Sequence, residues 1–399
     1  MEKSERSFWS RLTGACWRWI PVLLIIGSCK DKYNAPVHNP PTGYLVVEGF
    51  INIGGDSTKF TLSRTTGLDS PYIIPENGAT ISIQASGGSD YPLTELGSGR
   101  YALGPWNVDM QQQYRISIKT VNGKEYQSDF SIPKLTPPID SISWKPASNG
   151  SAVNIYVTTH DATNNSVYYQ WSYREDWEYT SQYISTLIYA GNDSFVYRPD
   201  SMQYHVCYQH DSSTDIIIGS TAKLAQDLMF EFPLELIPYG TTDKLVKEYS
   251  IQVTQKVLTK EWYEWNQKVQ KNTEQVGSIF DAQPSDITGN IHSLSDASEP
   301  VIGYVGCSSE TRQRMFISRG ELPPGYIYTG YEYCIVDTVK PLPGPRDNID
   351  QTFSSGNVVP LAPLYSDTGV LIGYTGAENS CVDCRLHGGV LTKPDFWPY

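Results

Sequence analysis

From residue 44 onward, apolar and polar side chains alternate over short stretches. Tyr44-Leu45-Val46-Val47-Glu48-Gly49-Phe50-Ile51, Lys59-Phe60-Thr61-Leu62-Ser63-Arg64, Ala79-Thr80-Ile81-Ser82-Ile83-Gln84, Tyr114-Arg115-Ile116-Ser117-Ile118-Lys119 and Glu125-Tyr126-Gln127-Ser128-Asp129-Phe130 all carry this rhythm. Successive strand side chains point to opposite faces, so period two predicts strands with one buried and one wet face. Val121-Asn122-Gly123, between the last two runs, marks a hairpin, because Asn-Gly accepts the positive φ of a tight turn. A small antiparallel sandwich over residues 43–133 is the expected result.

Ser131-Ile132-Pro133-Lys134-Leu135-Thr136-Pro137-Pro138 interrupts the alternation. Proline lacks an amide donor and holds its predecessor extended, which places a domain boundary here. Strand patterns resume at Ile139-Asp140-Ser141-Ile142-Ser143-Trp144, Val153-Asn154-Ile155-Tyr156-Val157 and Tyr168-Tyr169-Gln170-Trp171-Ser172-Tyr173. They predict a larger β-rich domain over 139–399, again antiparallel and sandwich-like, with longer insertions. The fold class is therefore mainly β, with two antiparallel β-sandwich-like domains. Residues 259–277 alone follow a helical period: Thr259 suits an N-cap, Glu261 the positive end of the dipole, and Gly277 a stop. Trp262, Trp265, Val269 and Val276 form one face, the spacing expected of a helix packed on a sheet in the second domain.

The first 28 residues differ in kind. Lys3, Arg6, Arg11 and Arg18 precede the apolar run from Trp19 to Ile26, and Gly27-Ser28 leads to Cys29. A basic n-region, a short apolar core and small residues before a cleavage point read as a signal peptide, and the run is shorter than the roughly 20 residues that span a bilayer. Ile26-Gly27-Ser28-Cys29 resembles the bacterial lipobox, which implies cleavage before Cys29 and lipidation of its thiol. Residues 29–42 read as a tether, and acyl chains as the membrane attachment. Loss of residues 1–28 removes four basic and two acidic side chains and takes the formal charge from −13 to −15. So acidic a body is a poor partner for nucleic acid.

Beyond Cys29 the cysteines are Cys207, Cys307, Cys334, Cys381 and Cys384, an odd number in a compartment where disulfides persist. Cys381-Val382-Asp383-Cys384 followed by His387 has zinc-ligand spacing, with Cys334 or Cys207 available as a fourth ligand. The alternative, favoured by the oxidising compartment, is that each cysteine bridges to a distant one and pins the C-terminal tail. Glu175, Asp176 and Glu178 among Trp171, Tyr173, Trp177 and Tyr179 have the composition of a glycosidase cleft. In an extended strand, however, positions 175 and 178 face opposite sides, which disfavours one paired site. No nucleophile elbow, zinc-protease helix, phosphate loop or dinucleotide fingerprint is present, and no cofactor is expected. Tyrosines gather at 179–189 and, with Gly and Pro, at 323–333, where Tyr179, Tyr183, Tyr189, Tyr326, Tyr328, Tyr331 and Tyr333 are candidate partner- or ligand-binding residues.

Leu45-Val46-Val47-Glu48-Gly49, Tyr249-Ser250-Ile251-Gln252-Val253 before the Trp262/Trp265 helix, Gly277-Ser278-Ile279-Phe280-Asp281 with Gln283-Pro284, Gly289-Asn290-Ile291, Gly303-Tyr304 and the closing CVDCRLHGGVLTKPDFW occur in a telling order. Together they resemble the domain of unknown function 4249 family over nearly the whole mature chain. The resemblance implies a Bacteroidetes lipoprotein, commonly encoded beside a TonB-dependent outer-membrane receptor, and implies no known activity. It also implies that Cys307 is the spare thiol, leaving Cys207, Cys334, Cys381 and Cys384 for two bridges. The expected function is a non-catalytic lid or ligand-capture subunit of such a receptor at the cell surface, its ligand a small molecule, glycan or peptide. A hydrolase using Glu175 and Glu178, or a structural adhesin or assembly factor, are the alternatives.

Overall fold

The computed structural model describes residues 43–67, 70, 72–274, 287–341 and 348–398. The signal segment, Cys29, the tether at 29–42, and Val276 with Gly277 lie outside the described residues. The chain is mainly β, the described residues being 46% strand against 10% helix, and its strands form several antiparallel sheets.

The alternating runs at the start of the chain become the first sandwich. Leu45–Asn52, Thr58–Arg64, Arg100–Leu103 and Thr94–Gly97 lie side by side in one sheet, and Glu125–Ser128, Tyr114–Lys119, Thr80–Ala85 and Asp90–Pro92 in another. Every second residue enters a shared core in which Leu45, Val47, Phe60 and Leu62 meet Ile81, Ile83, Ile116 and Ile118. Burying each such side chain contributes about 1.5–3 kcal/mol. Gly123 in the predicted hairpin has φ 84°, a conformation that costs glycine little.

Two short strands of this sandwich come from far down the chain. Ile291–Ser293 pairs with Glu125–Ser128, and Cys307–Ser308 pairs in parallel with Ile51–Asn52. Ile291, Val301, Val305 and Cys307 complete the core. A boundary at 133–139 would assign all of them to the second domain, and the parallel pair departs from a wholly antiparallel expectation. Edge chemistry accounts for the return. The outer side of Leu45–Asn52 would otherwise be a row of open donors and acceptors. Instead Val47 N donates to Ile302 O at 2.8 Å, Ile302 N to Leu45 O at 2.9 Å and Ile51 N to Gly306 O at 2.9 Å.

The second sandwich pairs Ile139–Pro146, Ala152–His160 and Leu228–Pro238 in one sheet. Its other sheet orders Val206–Ser212, Tyr168–Thr180, Glu248–Val257 and Glu310–Ser318, with Ile217–Ser220 added at the start of Tyr168–Thr180. Val153, Ile155, Val157, Trp171, Ile251 and Val253 fill the space between. A three-stranded sheet of Asp337–Val339, Leu371–Glu378 and Val358–Tyr365 follows, with a short helix at Asn348–Phe353. The hairpin of Leu187–Gly191 and Ser194–Tyr197 packs Tyr189 and Phe195 against Phe353 and Tyr374 of this module.

The predicted helix is described over Lys260–Glu274, and Thr259 caps it by accepting from Trp262 N at 3.3 Å. It packs on the second sandwich, as expected, and reaches the first as well. Trp262 lies on Phe50 and Tyr304 and against Gly306, where a Cβ would overlap the indole. Tyr263 meets Tyr168, and Gln270 Nε2 donates to Ile216 O at 2.8 Å. The helix therefore touches both sandwiches. Among the described residues no helix is long and apolar enough to cross a membrane.

Candidate functional site

The acidic run falls within Tyr168–Thr180, and strand alternation separates its members. Glu175 points between the sheets of the second sandwich, where its carboxylate accepts from Tyr249 OH at 2.5 Å and from Lys244 Nζ. Tyr173 donates to Glu235 in the same interior. Burial, assisted by the nearby Glu175 charge, raises the Tyr249 hydroxyl well above its ordinary value, and burial likewise raises Glu235. Asp176 and Glu178 lie on the other face. Arg314 Nη1 donates to Asp176 Oδ2 at 3.1 Å, and Lys247 to Glu178. The C-terminal residues cover part of that face, with Phe396 under the Arg314 guanidinium at 3.6 Å and Trp397 edge-on to Tyr208 and Phe316. Glu175 and Glu178 thus do not converge, and each is held in its own ion pair, the Glu175 side chain 3% exposed and the Glu178 side chain 11%. The residues that sequence reasoning missed are Glu235, Lys244 and Tyr249; period-two reading counts them as ordinary strand or turn positions.

Among the described residues two disulfides form, Cys207–Cys384 and Cys334–Cys381. Each cysteine of the C-x₂-C motif bridges to a distant partner, so neither sulfur is left as a thiolate for the zinc alternative with His387. His387 instead lies 4.3 Å from the Tyr331 ring and faces Tyr333 OH. Among the described residues Cys307 is the free thiol, buried in the first core, where desolvation pushes it up to about 12.

The tyrosines divide into two groups. Tyr179 and Tyr331 are almost wholly buried, which removes them as surface contacts. Tyr179 OH donates to Cys384 O at 2.7 Å and Tyr183 OH to Cys334 O at 3.1 Å, so both hold the cystine-pinned tail. Tyr189 donates to Asp350 and anchors the inserted hairpin. Tyr326 and Tyr333, by contrast, are 64% and 55% exposed, beside Ile335 at 68%. Tyr328 lies between these extremes, and its backbone N donates to Tyr239 O at 2.7 Å. The loop that carries them is fixed: Glu332 Oε1 accepts from Thr329 N at 2.7 Å and from Tyr326 OH at 3.0 Å, and Cys334 is bridged to Cys381. The site offers a held aromatic surface, with Glu332 and Arg319 hydrogen-bonded within the loop.

Among comparisons with known proteins, no curated protein matches the chain. Residues 30–314 match the family described as Domain of unknown function (DUF4249), a span that includes both sandwiches up to Arg314 in the last strand of the larger sheet. The cystine-bearing tail lies beyond the matched residues, although the sequence resemblance drew on it. With well over half of its length matched, the chain belongs to the DUF4249 family.

Proposed function

We propose that the chain is a non-catalytic outer-membrane lipoprotein, held by acyl chains on Cys29, that serves as a lid or ligand-capture subunit of a TonB-dependent receptor. The observation that carries this reading is the fixed loop at 323–333. Tyr326 and Tyr333 are exposed while their backbone is tied by Glu332, Tyr239 and a disulfide. Aromatic side chains ordered before contact lose little entropy on binding, which is how a small patch supplies most of the affinity of an interface. The inward ion pairing of Glu175, and the separation of Glu175 from Glu178 by strand alternation, weigh against the hydrolase alternative.

Extraction of host outer membranes in mild detergent tests the reading. The expected result is recovery of a TonB-dependent receptor with the chain, and several-fold less of it with Tyr326→Ser and Tyr333→Ser combined. Recovery as a lone monomer across several detergents overturns it. Cys29→Ser is expected to move the chain from the membrane to the soluble fraction, checked by fractionation and by mass spectrometry of the acylated N-terminus.

A further inference from the structure

The extended segment at 129–138 adjoins two open cavities. One, of about 500 Å³, is bounded by this segment, the first turn of the long helix at Thr259–Glu261, Asn165 and Tyr304. The other, of about 640 Å³, lies against residues 133–138, Met110 and the loop from Asp161 to Ser166. Lys134 and Asn165 border both, so the cavities adjoin as one groove. Each is within the range of roughly 300–1,000 Å³ typical of small-ligand sites.

The segment presents its side chains in a fixed way. Ser131, Pro133 and Thr136 are buried, Lys134 N donates to Cys307 O at 3.0 Å, and Thr136 N donates to Ser309 Oγ at 2.8 Å. Phe130, Ile132 and Leu135 consequently face outward, 40%, 56% and 63% exposed. Three outward apolar groups on one short extended stretch are costly to leave in water unless something covers them. Nearby rings are engaged already. Tyr304 stacks on Trp262, Tyr168 packs on Tyr263 at 4.9 Å, and Phe130 carries the Arg115 guanidinium at 4.6 Å. The exposed apolar surface is thus largely aliphatic, which suits side chains better than the flat face of a sugar.

Charge distinguishes the two ends. Each end carries two carboxylates and Lys134 is shared, but Lys260 stands beside Asp129 and Glu261 at the first, whereas no second lysine accompanies Asp140 and Asp161 at the other. Asp161 accepts from Thr163 N at 2.9 Å and Asn165 N at 3.2 Å. Although burial opposes it, these bonds hold the carboxyl down to about 2, fixing a negative charge there. Asp140 is bonded to His160 Nδ1 at 2.7 Å.

We infer that this groove binds a short extended peptide, its apolar side chains along Ile132 and Leu135 and a basic group at the Asp140 and Asp161 end. The inference deepens the capture reading by naming its site and ligand class, and rests on that reading only for its use at the membrane. Binding to the isolated chain needs no receptor, so its failure and a failure of receptor association are separate results.

The test is fluorescence anisotropy of the purified chain with a labelled Lys-Ile-Phe-Leu peptide. Saturable binding is expected, weakened about tenfold by Ile132→Asp combined with Leu135→Asp, and about tenfold when glutamate replaces the peptide's lysine. Asp140→Asn is expected to weaken the lysine peptide and to leave a norleucine version unchanged. Thermal melts of the variants establish that each is folded. Absence of saturable binding overturns the inference, as does binding indifferent to the Ile132 and Leu135 changes. Binding of maltotetraose in place of peptide, lost in the same variant, overturns the peptide assignment.

Discussion

Between the sheets of the first sandwich the side chains are apolar almost throughout, with Ile81, Ile83, Ile116 and Ile118 facing Leu45, Val47 and Leu62. Between those of the second, Glu175 is bonded to Lys244 and Tyr249, Tyr173 to Glu235, and Gln255 accepts from Trp171 Nε1 at 2.8 Å. The first closes its exposed edge with backbone from 302–308, while the second is stapled to its tail by cystine. One core is held by area removed from water, and the other needs every polar partner in place. An ion pair taken from water gains little over an apolar pair of equal shape, yet breaking it strands a charge. The second sandwich should therefore be the more sensitive to single substitutions, to redox state and to pH.

Loss of the cystine between the second sandwich and its tail is the largest expected effect. Cys207 and Cys384 are 177 residues apart, and loop closure over such a length gives an upper value of about 5 kcal/mol. Cys207→Ser with Cys384→Ser is expected to expose the tail to limited proteolysis and to lower the main melting transition, leaving the first sandwich protected. Equal proteolysis of both regions would break the comparison.

Next in size is the interior acid. Glu175→Leu leaves Lys244 and Tyr249 OH without their carboxylate and is expected to cost about 3–5 kcal/mol in urea unfolding. Glu178 pairs with a Lys247 side chain that is half exposed, so Glu178→Gln is expected to cost at most about 1 kcal/mol. Similar losses from the two would show that facing inward or outward does not matter.

Acidity sharpens the same contrast with smaller effects and opposite signs. Glu235 is raised in the folded state by burial, so the unfolded chain gives up this proton first. Stability then falls as pH rises from the ordinary carboxylate range through the raised folded value. Asp161 is held down to about 2 by hydrogen bonds, so its contribution is present above the ordinary range and is lost as pH falls toward that value. Glu235→Gln should flatten the first limb, and Asp161→Asn the second, in unfolding free energies measured across pH.

The legible parts of this fold are those whose signal is local. Alternation located Tyr114–Lys119 to the residue and Leu45–Asn52 to within one, and Asn122-Gly123 located the turn from Tyr114–Lys119 into Glu125–Ser128. Thr259 announced its helix. The return of Ile291, Val301 and Val305 to the first core was not legible, because three apolar residues in a loop-rich stretch carry no address. Nor was the role of Tyr179, since a tyrosine that holds a distant carbonyl reads like one that awaits a partner. The groove is the extreme case: Ile132, Thr259, Asn165 and Asn290 meet only after both sandwiches have formed.

Cys307 gives the smallest effect and the cleanest separation of the two regions. It lies in the first core, 1% exposed, beside the strand that it helps to cover. With its thiol pushed up to about 12, little thiolate exists near neutrality, and what exists is shielded from reagent. Alkylation of the folded chain at pH 8 should therefore report opening of the first sandwich, and should become complete in denaturant. Cys307→Ala removes one small buried atom and is expected to cost about 1 kcal/mol. The informative measurement is the alkylation rate after Cys207 and Cys384 have been replaced by serine. If the apolar sandwich stands on its own packing, that rate is unchanged while the tail is cut by protease. A rate that rises in step with the cutting means that the two regions open together, because the strands at 291–293 and 307–308 tie the first core to the second.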